Sequence, residues 1–101
     1  MVKHIIIWQL GDHIPQGDKS DVLKNIKTHL EALQGQIPGL VSIKVTVDFL
    51  PTANSDAILE SEFESFEALK NYSVHPLHVA VAEKYVRGFT KTRSCADYEI
   101  N

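Results

Sequence analysis

The segment Tyr72-Ser73-Val74-His75-Pro76-Leu77-His78 places a phenol and two imidazoles around a single proline. Imidazole is the side chain whose unperturbed charge change falls near neutral pH, and a phenol can donate a hydrogen bond to an oxygen that is gaining charge. Together they suit proton transfer beside a carbonyl group. Pro76 fits the first turn of a helix, because its missing N–H would have no intrahelical partner there. The proline drives His75 toward extended dihedrals, as an N-cap requires, so His75 is read as a helix cap. His78 then falls at the third helical position, where free backbone N–H groups and the positive end of the dipole disfavour imidazolium. A neutral His78 can accept a proton or polarise a carbonyl, while Tyr72 orients or stabilises an enolate oxygen.

His4 is the third candidate for this chemistry. It shares a strand face with Ile6 and Trp8, so it must be buried. The structural alternatives are a capping His75, a His78 bonded to a nearby carbonyl and a satisfied core histidine at position 4.

Other chemistries find less in the sequence. His75 and His78 straddle a helix start instead of sitting one turn apart within it, no acidic ligand adjoins them, and a catalytic zinc needs three protein ligands. No metal site is therefore expected, and no cofactor. His13 and His29 are assigned to a loop and to the first helix, in solvent. Glu60, Glu62, Glu64 and Glu67 form an acidic run that alternation places mostly in water, against a paired-carboxylate hydrolase. There is neither a glycine-rich phosphate loop nor a nucleophile elbow. Cys95 is the only cysteine, which excludes an intrachain disulfide, and it is expected as a buried, inert thiol in the last strand.

The elements that must position these residues follow from periodicity. Val2 to Leu10 reads as a central strand, β-branched and stopped by Gly11-Asp12. Val22, Ile26, Leu30, Leu33 and Ile37 recur at helical spacing over a helix capped by Asp18 or Ser20 and ended by Pro38-Gly39. Leu40 to Val47 alternates, with Val41, Ile43, Val45 and Val47 on one face. Ala57 to Phe63 is a third strand. Ser65 caps a short helix that buries Phe66 and Leu69, and Pro76 opens another to about Gly88 with Leu77, Val81 and Tyr85 on one stripe. Thr90 to Ile100 is the last strand.

The order β-α-β-β-α-β implies an α+β, ferredoxin-like fold: an antiparallel four-stranded sheet with helices on one face. The other face is then open, with apolar side chains on the first, second and last strands, and such a patch usually marks an interface. Pairing of two sheets about a two-fold axis, as a homodimeric barrel, is the expected outcome. A pocket between helices and sheet would be lined by Ile6, Trp8, Leu30, Leu69 and Val81, and would take a small apolar or phenolic ligand.

At 101 residues the chain is one domain, 1–101, and its 44 % apolar and 23 % charged residues are ordinary for a globular protein. The net charge of −3, with no Lys/Arg cluster, argues against a nucleic-acid partner. Neither a membrane span nor a signal peptide is recognisable, so a cytoplasmic location is expected.

The opening Met1-Val2-Lys3-His4-Ile5-Ile6-Ile7-Trp8, the turn Ile37-Pro38-Gly39-Leu40, Phe63-Glu64-Ser65, Tyr72-x-x-His75-Pro76-x-His78-x-x-Val81 and Asp97-Tyr98-Glu99 occur in this order along the chain. Together they resemble the stress-responsive dimeric α/β-barrel (Dabb) family. The resemblance implies ferredoxin-like protomers in sheet-to-sheet homodimers, a link to stress response, and in most members an undefined biochemical role. One family member is a cofactor-free polyketide cyclase that uses the Tyr and second His of this motif, matching Tyr72 and His78, with His4 matching a pocket histidine. Where that cyclase has a further histidine this chain has Ala57. The alternative function is therefore a cofactor-independent cyclase or isomerase, or a related barrel monooxygenase.

Overall fold

The computed structural model describes residues 1–100. Four strands, β1 (Val2–Leu10), β2 (Leu40–Thr46), β3 (Ala57–Phe63) and β4 (Thr90–Glu99), form one antiparallel sheet in the order β2-β3-β1-β4. Helices α1 (Lys19–Glu31), α2 (Phe66–Val74) and α3 (Pro76–Val81) join them, and α3 continues as a wider π-helical stretch over Ala82–Arg87. This is the ferredoxin-like α+β fold.

The core lies between the helices and one face of the sheet. Ile6, Trp8, Val45, Leu59 and Phe63 from the strands meet Ile26, Leu30, Leu33, Leu69 and Tyr72 from the helical layer. β1 alternates strictly, with Val2, His4, Ile6, Trp8 and Leu10 buried and the residues between them half-buried. The inward set follows from the period-two pleat.

Several elements depart from the sequence-based expectation for physical reasons. A 3-10 turn over Gln16–Asp18 runs directly into α1, so Asp18 stands at the N-cap without a side-chain cap bond and Ser20 lies inside the helix. In β2 the pairing shifts between Leu40 and Ser42, which lets Leu40 and Ile43 both face the core and leaves Val41 exposed. Ile43 and Val45 point toward the helices, so β2 turns Ser42, Lys44 and Thr46 to the open face instead of valines. Phe66, at the first position of α2, is exposed, and Leu77 is too; the buried line of the last helical stretch is Ala82 and Val86. His29 is half-buried and stacks on Tyr85 at 3.8 Å between centroids, whereas His13 stays in solvent.

Two contacts hold the helical layer in place. Gly39 has a φ of +83°, and a Cβ there would come within 2.5 Å of the Ala68 Cβ, so the turn into β2 can approach α2 only as glycine. Ser65 accepts a hydrogen bond from the Ala68 N–H at 3.1 Å, capping α2 as its position before Phe66 suggested.

The two sheet edges are treated differently. Along β2, Glu31 accepts from the Val45 N–H at 2.9 Å and Lys27 donates to the Val45 carbonyl at 2.6 Å, so α1 side chains satisfy the free edge. β4 has no such cover and is exposed from Lys91 to Glu99. Cys95 is accordingly exposed, which overturns the expectation of a buried thiol: β4 is the edge strand of the sheet, and its middle is left uncovered.

Candidate active site

A cavity of about 150 Å³ lies between the sheet and the last helical segments. Its apolar wall includes Ile6, Trp8, Leu30, Leu59, Leu69, Ala82 and Val86, and its polar groups are His4, Tyr72, Ser73, His78, Arg87, Thr90 and Arg93. Four of the five residues expected to line it do so. Val81 does not; it is half-buried against the core, and Ala82, one residue on, takes the place because it lies one turn after His78. The π-helical stretch brings both Val86 and Arg87 to the same cavity, since its repeat is wider than that of an α-helix.

Pro76 and His75 set the start of α3. His75 has extended backbone dihedrals, and its Nδ1 accepts from the Leu77 N–H at 3.1 Å. It caps the helix and does not line the cavity.

His78 is different. Its Nδ1 lies 3.3 Å from the Ser73 carbonyl, and a carbonyl only accepts, so Nδ1 carries the proton and Nε2 keeps its lone pair. Burial holds its pKa below the ordinary histidine value of 6.5, and the charges of Arg87, His4 and Arg93 push the same way against the Ser73 carbonyl. The neutral imidazole is thus the favoured form.

Tyr72 faces His78 with ring centroids 4.2 Å apart. It is 1 % exposed and packs edge-on to Phe63 at 4.9 Å, and burial pushes its pKa up. Its hydroxyl is buried without a hydrogen-bond partner among the described residues. Buried hydroxyls are nearly always paired, because leaving one unpaired costs about 1–3 kcal/mol. A phenol that stays neutral and uncommitted at the cavity wall is a donor held ready for an oxygen.

His4 stands 6.3 Å from Tyr72 between ring centroids and is buried. Its Nδ1 bonds the Asp97 carboxylate. Asp97, which the sequence offers only within the closing Asp97-Tyr98-Glu99 run, was not expected beside His4. It lies 93 positions away and reaches His4 only because β1 and β4 pair in the register that sets the two opposite each other. Alternation in the last strand, combined with antiparallel pairing to the first, could have found it. Arg87 and Arg93 were also missed, and among the described residues no carboxylate lines the cavity, so the charged groups described there are basic.

Comparison with known proteins places the fold within a family. Residues 2–100 match the Stress responsive A/B Barrel Domain family. Olivetolic acid cyclase of Cannabis sativa is 29 % identical over 100 residues, spanning 96 % of this chain and 94 % of that protein. Among solved structures, a dimeric ferredoxin-like protein of unknown function from Bacteroides fragilis is 34 % identical with a TM-score of 0.89, covering 98 % of this chain and 95 % of that one. A hydroxynitrile lyase from Passiflora edulis shares the fold with a TM-score of 0.72 at 19 % identity, over 99 % of this chain and 93 % of that one. With the sheet order, the Tyr72–His78 motif and a family match over nearly its whole length, this chain belongs to the stress-responsive A/B barrel (Dabb) family.

Proposed function

We propose that this protein is a homodimeric A/B-barrel protein with a cofactor-independent active site for proton transfer next to a carbonyl. The observation that carries the proposal is the Tyr72 hydroxyl, buried and unpaired beside a histidine whose Nε2 is free to accept. In this reading His78 Nε2 removes a proton from the carbon next to the carbonyl, and the electron pair of that C–H bond forms the enolate. Tyr72 donates its O–H to the enolate oxygen. The proton on His78 then returns to another atom of the ligand, giving isomerisation; or the enolate carbon attacks a second carbonyl, whose π electrons move to its oxygen, and that alkoxide takes the proton from His78, giving cyclisation. Asp97 fixes the orientation of His4 at the cavity wall. The activity that names the 29 % identical relative, a cyclase, is of this kind.

The cavity size limits the ligand. About 150 Å³ matches the engineered apolar cavities of roughly that volume that admit one benzene ring. One ring or a short alkyl chain fits inside, and anything longer must extend past Arg87 and Arg93. The homodimer is supported by the open sheet face, where Ile5, Ile7, Ile58 and Ala96 form an apolar centre beside the Lys3, Glu60 and Glu62 ion pairs, and by the dimeric state of the Bacteroides fragilis protein. The patch spans β1, β3 and β4, not β2.

The test is exchange of the carbon-bound protons of 2-indanone into deuterated water, followed by proton NMR. The native chain accelerates exchange and His78→Gln abolishes the acceleration. Equal rates with and without the native protein contradict the proposal.

A further inference from the structure

Outside the Tyr72–His78 pair, one cluster of metal-ligating groups stands out. His4 on β1 and Cys95 and Asp97 on β4 project from the same sheet face, because His4 is paired with Asp97, Ile6 with Cys95, and residues two apart on a strand share a face. The His4 imidazole, the Cys95 sulfur and the Asp97 carboxylate each place a donor atom within 4.8 Å of the others. Asp97 already bridges the other two: it takes the His4 Nδ1 bond on one oxygen and lies 3.5 Å from the Cys95 sulfur on the other.

We infer that His4, Cys95 and Asp97 form a binding site for a borderline divalent cation of the zinc class. One imidazole, one thiolate and one carboxylate are three of the donors that tetrahedral zinc takes, at about 2.0–2.3 Å from the metal. Ligand atoms around such an ion sit about 3.3–3.8 Å apart, so the cluster reaches this geometry by small side-chain rotations that move the carboxylate away from His4 and draw the sulfur in. A thiolate with an imidazole selects against magnesium and calcium, which favour all-oxygen sites. The backbone cost is low, since two neighbouring strands of one ladder hold all three residues. His4 is buried while Cys95 and Asp97 are exposed, so the cation enters from solvent and keeps a fourth position for water. Two deprotonated ligands balance the charge of the ion, which displaces the thiol proton as it binds.

The site shares His4 with the cavity wall but does not rest on the Tyr72–His78 reading, and its test uses no activity. The full chain, kept reduced with a phosphine, is titrated with cobalt(II) and followed by absorption. The expected result is a near-ultraviolet thiolate-to-cobalt charge-transfer band with strong visible bands of tetrahedral cobalt, saturating at one ion per chain and bleached by zinc. Cys95→Ser removes the charge-transfer band. Asp97→Asn weakens binding by about tenfold or more, since even groups that only orient a ligand have effects of that size. Both positions are exposed, and circular dichroism of each variant checks that the fold is retained. No charge-transfer band at millimolar cobalt overturns the inference. So does a band of undiminished affinity in a folded Asp97→Asn chain, because the thiol is then binding alone.

Discussion

His75 and His78 lie three residues apart on either side of the same helix start, yet they do different things. His75 spends its Nδ1 on the Leu77 N–H and closes a local backbone gap. His78 is anchored by a backbone carbonyl from the preceding helix, and its ring packs on Tyr72 at the wall of a cavity. The first interaction is complete within the helix. The second leaves one nitrogen uncommitted on a half-buried ring. Within one motif, chemical capacity follows from what each ring has left over, not from residue type.

Substitutions can break that comparison, and the largest effect falls on His78. His78→Gln keeps a group that can bond the Ser73 carbonyl but removes the base, so exchange of 2-indanone slows by about a hundred- to ten-thousandfold. Tyr72→Phe removes only the hydroxyl. Exchange falls about a hundredfold, while stability in urea stays level or rises by up to about 1 kcal/mol, because the lost group had no partner. If Tyr72→Phe is strongly destabilising, the hydroxyl is structural and the comparison fails. His75→Ala shows the opposite split: about 1 kcal/mol of stability is lost and the exchange rate is unchanged, with His75→Asn restoring the cap.

His78 also makes stability depend on pH. The pKa of His78 in the folded chain lies below 6.5, so between the folded value and 6.5 the unfolded chain binds more protons. Stability from this group is therefore complete above about pH 6.5 and is lost as pH falls toward the folded value. Urea denaturation across that range should show the slope in the native chain and a flatter one in His78→Gln. A smaller and separate effect concerns assembly. Ile7→Lys places a charge in the centre of the open apolar face, and light scattering should then report a monomer.

Much of this was legible in the sequence, because local rules governed it. β1 and β3 have the limits that β-branched runs and turn residues indicated, and Pro76 marks the start of α3. The Tyr72–His78 pairing follows from two helix segments meeting at a proline. What stayed hidden depends on partners far along the chain. The shift in β2 register that turns Val41 out needs β3 as its reference. Asp97 becomes a partner of His4 only through the β1–β4 register, and Cys95 is exposed because β4 falls at an edge that α1 and α2 do not reach. Phe66 reads as core by its type, but at the first turn of α2 it points to solvent.

The most direct test is a nitrogen-15 NMR titration of the histidine side chains, with His78 assigned by comparison with His78→Gln. His78 is expected to carry its proton on Nδ1 at neutral pH and to have a pKa below 6.5. A proton on Nε2, or a pKa at or above that of a free histidine, would contradict it.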